Sequence, residues 1–342
     1  MALLMSIKSS AETKCFTIHI QGLVQGVGFR PYIYRLATEM QFKGRVENRN
    51  DGVFVKVNGT IDKINRFKQA IIEQAPNASQ IQTISIEESK GELFHDFQII
   101  KSKDISDEIT QISPDIAICD DCILDMKDQP HRIDYPFTNC TDCGPRFSII
   151  RELPYDRPLT TMESFIMCDT CKKEYSNVLD RRFHAQPVAC NHCGPVYKLK
   201  LDRNNEQNIH EIIEEISKGI ALGKVYAIKG IGGFHLMCDA QNEKAVARIR
   251  KIKNRDGKPF AIMSSSIHKL HEIADINGEE QILLLSWQRP IVLLKYHGGL
   301  AQEVTIGLSK VGAMLPYMPF HYLLFKKLNT NFIVLTSGNI SD

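Results

Sequence analysis

No stretch of this 342-residue sequence is apolar over the ~20 residues that a membrane-spanning helix needs. The opening residues, MALLMSIKSS, lack the basic start and sustained apolar core of a secretory signal. A net charge of only +2 gives no electrostatic case for a nucleic-acid partner. The G-x-x-x-x-G-K-[ST] phosphate loop is absent, which excludes one common mode of ATP binding. The cysteines are not scattered as in a secreted disulfide framework. Eight of the ten fall into four C-x-x-C pairs, a pattern of metal ligands in a reducing compartment. Cys15 and Cys238 stand apart and read as packing residues. These absences lead to a cytoplasmic protein with no membrane partner. A 43% hydrophobic composition over this length provides for two or three domains.

The cysteine pairs carry the sharpest signal. Cys119/Cys122 with Cys140/Cys143, and Cys168/Cys171 with Cys190/Cys193, repeat at similar spacing. Gly-Pro follows the last cysteine of each set, in CTDCGPR and CNHCGPV. Each C-x-x-C aims two thiolates at one ion, and two such knuckles complete a tetrahedral four-cysteine site. The expectation is two structural Zn²⁺ ions in a tandem module over residues 115–197. Sequential pairing and a nested pairing, first pair with fourth and second with third, both use these ligands. Redox C-x-x-C chemistry does not predict pairs of pairs. His184 and His192 then read as supporting residues, because thiolates fill both sites.

Residues 14–100 alternate strand and helix patterns. KCFTIHIQGLV and GVFVKVNG alternate like strands, and DKINRFKQAIIEQA has helical periodicity. SIEESK and FHDFQII are taken together as one interrupted final strand region. The order is that of a ferredoxin-like split βαβ fold. Between the first strand and its helix lies QGLVQGVGFRP, where glycines crowd the approach to Arg30. Such a loop gathers main-chain N–H groups at a helix N-terminus beside a fixed positive charge, which suits an anion such as phosphate. A turn with a solvent-facing arginine is the plainer alternative. KSKDISDEITQISPD then reads as a linker.

Residues 205–342 alternate helix and strand runs of an α/β sheet. Lys229, Lys253, Arg255 and Lys258 lie around glycine-containing loops, and Ser337 and Asn339 follow a buried strand. Together they suit a polyphosphate pocket at a strand end, although basic residues of this kind also serve as a plain solvated face.

Residues 14–100 resemble acylphosphatases. Gln25, Gly26, Val27, Gly28, Phe29 and Arg30 resemble their phosphate loop, and Asn48 in GRVENRNDG matches their water-orienting asparagine. Residues 205–342 resemble YrdC-type threonylcarbamoyl-adenylate synthases through KGIGGFHLMCDA, KNRDGKP and TSGN. With YPFTNCTDCGPRFSII and DRRFHAQPVACNHCGP between them, the whole resembles the HypF carbamoyltransferase family of [NiFe]-hydrogenase maturation.

The resemblance implies an α+β and α/β multidomain chain. Its parts would be a ferredoxin-like acylphosphatase domain (14–100), a zinc-finger module (115–197) and a YrdC-like α/β domain (205–342), the last expected to be truncated. It implies hydrolysis of carbamoyl phosphate, with Arg30 and Asn48 catalytic and Gln25 to Phe29 holding phosphate. It further implies carbamoyl adenylate formation from ATP and Mg²⁺ on Lys229, Lys253, Arg255, Lys258, Ser337 and Asn339, and transfer to the C-terminal cysteine of HypE by a domain outside this sequence. A tRNA-modifying threonylcarbamoyl-adenylate synthase and a zinc-centred protein- or RNA-binding module are the alternatives.

Overall fold

The computed structural model describes residues 13–76, 78–89, 91–100, 111–200, 208–255 and 257–339. Most of the stretch read as a linker (101–110) and the last three residues of TSGNISD therefore lie outside the described residues. The chain forms two compact units. One holds the described residues up to Pro114 together with Ile149–Ser164 and Lys173–Gln186; the other holds Asp115–Ser148, Phe165–Lys172 and the described residues from Pro187 onward. The cysteine-rich region is thus divided between them.

The first unit runs β1 (Lys14–Leu23), α1 (Phe29–Glu39), β2 (Lys43–Arg49), β3 (Gly52–Gly59), α2 (Ile61–Glu73), β4 (Gln80–Ser89) and β5 (Phe97–Ile99). Its sheet order is β4-β1-β3-β2-β5. Alternation in β1 buries Phe16, Ile18 and Ile20, and β3 buries Val53, Val55 and Val57. Ile33, Leu36 and Ala37 of α1 and Ile64, Phe67 and Ile71 of α2 complete this core at helical spacing. Thr60 starts α2 by accepting the Lys63 N–H at its side-chain oxygen.

One expectation is corrected. SIEESK and FHDFQII do not share a final strand: β4 pairs antiparallel with β1, whereas β5 pairs parallel with β2 at the opposite edge. The two strands lie at opposite edges of the sheet, a separation that no local pattern encodes.

In the second unit come α3 (Asp120–Asp128), α4 (Asp169–Ser176, shared with the first unit), α5 (Ile209–Ala221), β6 (Tyr226–Lys229), β7 (Phe234–Asp239) and α6 (Glu243–Ile252). After them follow β8 (Ala261–Ser264), α7 (Ile267–His271), β9 (Ala274–Asp275), α8 (Gly278–Leu285), β10 (Val292–Tyr296), α9 (Gln302–Thr305), β11 (Lys310–Met314), α10 (Pro319–Phe325) and β12 (Phe332–Ser337). The sheet order is β6-β7-β12-β8-β11-β10-β9. Val246 and Ile249 of α6 pack with Ile262, Leu294, Ala313 and Val334 in its core. A capping box opens α5: Asn208 accepts the Glu211 N–H, and the Glu211 carboxylate accepts the Asn208 N–H.

Within this seven-stranded sheet, only β8 and β11 pair in parallel among the described strands. Element order alone does not set strand direction, and a short link such as β6 to β7 turns the chain back on itself. Among the described residues, no helix is long and apolar enough to cross a membrane.

Candidate functional site

In the first unit, polar groups collect at one end of the sheet. The chain leaves β1, turns through Val24–Gly28 and enters α1 at Phe29. Gly26 (φ 73°) and Gly28 (φ 72°) take left-handed backbone conformations that allow this tight approach. Gly22 plays another part. It sits at the register shift between β1 and β4, where an added Cβ would lie 2.2 Å from the Gln80 carbonyl oxygen. The first turn of α1 carries N–H groups outside the helix's own hydrogen-bond ladder, together with the positive end of its dipole.

Asn48 stands near the end of β2, paired with Val53, which pairs in turn with Ile20 of β1. Gln25 fastens the loop to this hairpin: its Nε2 donates to the carbonyls of Arg49 and, at 3.1 Å, Gly52. Gln25, Arg30, Glu47 and Asn48 are all buried, and among the described residues the Asn48 Oδ1 has no hydrogen-bond partner. A buried acceptor without a donor costs stability and marks a place where a ligand or water supplies the missing bond. Val27 and Phe29 are buried apolar residues of the loop, so only their main chains can face an anion.

Arg30 is not the solvent-facing loop arginine that its position suggested. It is 7% exposed, and its Nη2 donates to Asp156 Oδ1 at 2.7 Å and to the Tyr155 carbonyl at 3.3 Å. Tyr175 and His184 also feel this charge. Burial raises the Tyr175 hydroxyl, which Arg30 opposes. Burial and the Arg30 charge hold the His184 imidazole down to about 4.

Between pH 6.5 and 4 the unfolded chain therefore binds a proton at His184 that the folded chain refuses, and stability falls as pH falls through that window. The loss by pH 4 should reach about 3 kcal/mol. His184→Asn, which tolerates the positive φ of 55° at this position, should flatten the dependence. Thermal midpoints between pH 7 and pH 4 measure it, and parallel curves for the two proteins would refute the assignment.

The eight paired cysteines of the second unit form two clusters, Cys119/Cys122/Cys140/Cys143 and Cys168/Cys171/Cys190/Cys193, each with its sulfurs within 4.8 Å of one another. The pairing is sequential, and the nested alternative is ruled out. All ten cysteines are free thiols. Sulfur separations of 3.7 Å (Cys140–Cys143, Cys168–Cys190, Cys171–Cys193) and 3.8 Å (Cys119–Cys140, Cys190–Cys193) set both clusters. Fully buried Arg132 donates to the Cys171 sulfur at 3.6 Å and to the Ala189 carbonyl at 3.1 Å. Buried Arg146 donates to the carbonyls of Cys143, at 3.1 Å, and Thr141, at 2.8 Å. Burial pushes the Cys171 thiol up, against the Arg132 charge. Four thiols sequestered in this way can hold a metal ion.

Elsewhere in that unit, Lys253 is buried and donates to the carbonyls of Ser337 and Asn339, both at 2.8 Å, and to the Asn339 Oδ1 at 3.2 Å. Three predicted residues are thereby joined. Lys229 lies at the same sheet end: it pairs with Phe234, whose carbonyl accepts the Gly338 N–H. Arg255 lies over Phe260, Lys258 is exposed, and the main-chain carbonyls of both accept from Arg250, at 2.8 and 3.0 Å.

Comparison with known proteins agrees with these parts. Residues 16–99 match the acylphosphatase family, 118–150 and 167–200 match the HypF finger, and 218–342 match the Sua5/YciO/YrdC family, described as telomere recombination. The carbamoyltransferase HypF of Rhodobacter capsulatus is 39% identical over 96% of this chain and 43% of its own length. The probable carbamoyltransferase HypF of Methanocaldococcus jannaschii is 42% identical over 94% and 43%. The acylphosphatase of Thermotoga maritima is 37% identical over 25% of this chain and 96% of its own. A crystal structure of full-length HypF in the phosphate- and nucleotide-bound form matches with a TM-score of 0.87 and 42% identity, over 96% of this chain and 43% of that one. The chain thus spans 43% of the length of these HypF relatives. Over 96% of its length the chain is similar to a HypF carbamoyltransferase, and its residues 16–99 belong to the acylphosphatase family.

Proposed function

We propose that this chain hydrolyses carbamoyl phosphate in its first unit and activates the resulting carbamate with ATP in its second. The observation that carries the reading is the buried cluster of Arg30, Gln25 and Asn48, with its unpartnered Asn48 Oδ1, on a loop that matches acylphosphatases. Arg30 and the main chain of Gln25 to Phe29 hold the phosphoryl group as charge shifts on it. Water accepted at Asn48 Oδ1 attacks the phosphorus, the bond to the bridging oxygen breaks, and carbamate leaves with that oxygen. Catalysis here is positioning and electrostatics. Lys253, held beside Ser337 and Asn339, would meet the phosphates of ATP with Mg²⁺, assisted by Lys229, Arg255 and Lys258.

We assign the cysteine clusters to two structural zinc ions. Four sulfurs bound at about 2.3 Å in a tetrahedron lie about 3.8 Å apart, close to the separations above. Three parts, 14–100, 115–197 and 205–342, would then carry the acylphosphatase, zinc and adenylate-forming roles in a cytoplasmic enzyme. Transfer to HypE would be the task of the longer relatives' remaining length.

The test is phosphate release from carbamoyl phosphate, followed by carbamoyl-phosphate-dependent exchange of pyrophosphate into ATP. Asn48→Ala should lower kcat by about a hundredfold and leave KM within a few fold, since a water-orienting group acts in the transition state. Exchange that instead requires threonine would assign the second unit to tRNA modification.

A further inference from the structure

Two consecutive residues of the cysteine-rich region reach the phosphate loop. Asp156 and the Tyr155 carbonyl take the Arg30 Nη2, while the Tyr155 N–H donates to Gln25 Oε1 at 3.4 Å. Both polar side chains of the loop are thus gripped by a strap 126 residues from Arg30. The strap is itself anchored within the same unit. Arg157 donates its main-chain N–H to Gln186 Oε1 at 2.8 Å and its Nη1 to the Gln186 carbonyl at 2.7 Å. Tyr175 adds a hydroxyl bond to Gln186 Oε1 at 3.1 Å, and Ile150 bridges Thr160 at the strap's base.

A carboxylate on the arginine meant for phosphate has two opposite consequences. It could compete with the substrate and shut the site, or it could fix the guanidinium in place for the substrate. A gate must be free to leave. Here Asp156 shares Nη2 with a main-chain carbonyl from the same strap, and the neighbouring N–H holds Gln25. Withdrawing the carboxylate would mean peeling away backbone contacts as well.

We propose that Asp156 is a positioning residue for Arg30 in acyl phosphate hydrolysis, an inference that rests on the reading of the loop given above. A long side chain loses rotamer freedom when it clamps a ligand. The ion pair removes that freedom beforehand and fixes the plane of the guanidinium fork. Asp156 also cancels part of the positive charge, so it contributes orientation at some expense of ground-state attraction for the anionic substrate.

The experiment is steady-state carbamoyl phosphate hydrolysis by the whole chain with Asp156→Ala and Asp156→Asn, each alone and in the Arg30→Lys background. Asp156→Ala should lower kcat at least tenfold while KM shifts less than threefold. Asp156→Asn, which keeps an acceptor of the same shape, should fall between it and the unaltered chain, and it carries the test if the alanine variant does not fold. In the Arg30→Lys background, removing Asp156 should cost less than twofold more, because its effect passes through the guanidinium. An unchanged or raised kcat would overturn the proposal in favour of a gate or a bystander, and so would a full tenfold loss in the Arg30→Lys background. If the unaltered chain hydrolyses carbamoyl phosphate and Arg30→Ala does not, a null result at Asp156 defeats this inference alone. An inactive unaltered chain defeats both.

Discussion

Arg30→Ala should abolish carbamoyl phosphate hydrolysis, lowering kcat/KM by roughly a thousandfold or more, the scale seen when a preorganised donor to developing charge is removed. The guanidinium is buried, fixed by Asp156 and Tyr155, and carried on the first turn of α1, so under the proposed function its charge would meet the transferred phosphoryl group without reorganising. Arg30→Lys should recover only part of the rate, because an ammonium cannot give the planar two-pronged grip of a guanidinium. Stability should suffer too. Removing the arginine leaves Asp156 and the Tyr155 carbonyl without that donor, at a cost of about 1–3 kcal/mol. Activity is therefore to be compared at a temperature where circular dichroism shows both proteins folded. Near-normal hydrolysis by folded Arg30→Ala would reduce the glycine loop to a turn.

The second large effect lies in the cysteine clusters. The chain should hold two zinc ions, and Cys143→Ser or Cys171→Ser should lose one of them and unfold the surrounding segment. Both sulfurs are fully buried, so the variant leaves a hydroxyl and three crowded thiols in place of a closed site. A structural zinc contributes about 10–16 kcal/mol of apparent binding energy in zinc-finger peptides at neutral pH. That matches or exceeds the whole stability of a typical domain, about 5–15 kcal/mol. Metal content by atomic emission should fall from two to one per chain, and limited proteolysis should cut near the altered cluster. Metal-free protein with an unchanged proteolytic pattern would show that packing alone, with Arg132 and Arg146, holds the clusters.

What the sequence disclosed follows from how local each signal is. The glycine loop, Asn48 and the cysteine knuckles are encoded within a few residues, and backbone geometry alone places their chemistry together. Repetition of the C-x-x-C pairs carried the metal reading, although sequential and nested pairing became distinguishable only in three dimensions. Asp156 was invisible because nothing in LPYDRP marks it; its meaning comes from a partner 126 residues away. For the same reason Arg30 looked exposed, and β4 and β5 looked like one strand until their edges were known. Lys229, Arg255 and Lys258 carry charge near glycines, a signal that surface residues share, whereas hydrogen bonds tie Lys253 to Ser337 and Asn339.

The seven-stranded sheet places its last strand in the middle, with β12 between β7 and β8. Val334 pairs with Cys238 on one side and Ile262 on the other, so the two parts of the sheet meet through a strand that is made after all the others described in it. Until then the hairpin of β6 and β7 has an open edge, and the strands from β8 onward have another. Closing such distant pairings is slow because the chain between them must first be gathered in. During synthesis this unit therefore passes through an interval with two sticky edges exposed, the circumstance in which nascent chains aggregate or recruit chaperones. Its assembly is a single late event, set by the arrival of one six-residue strand.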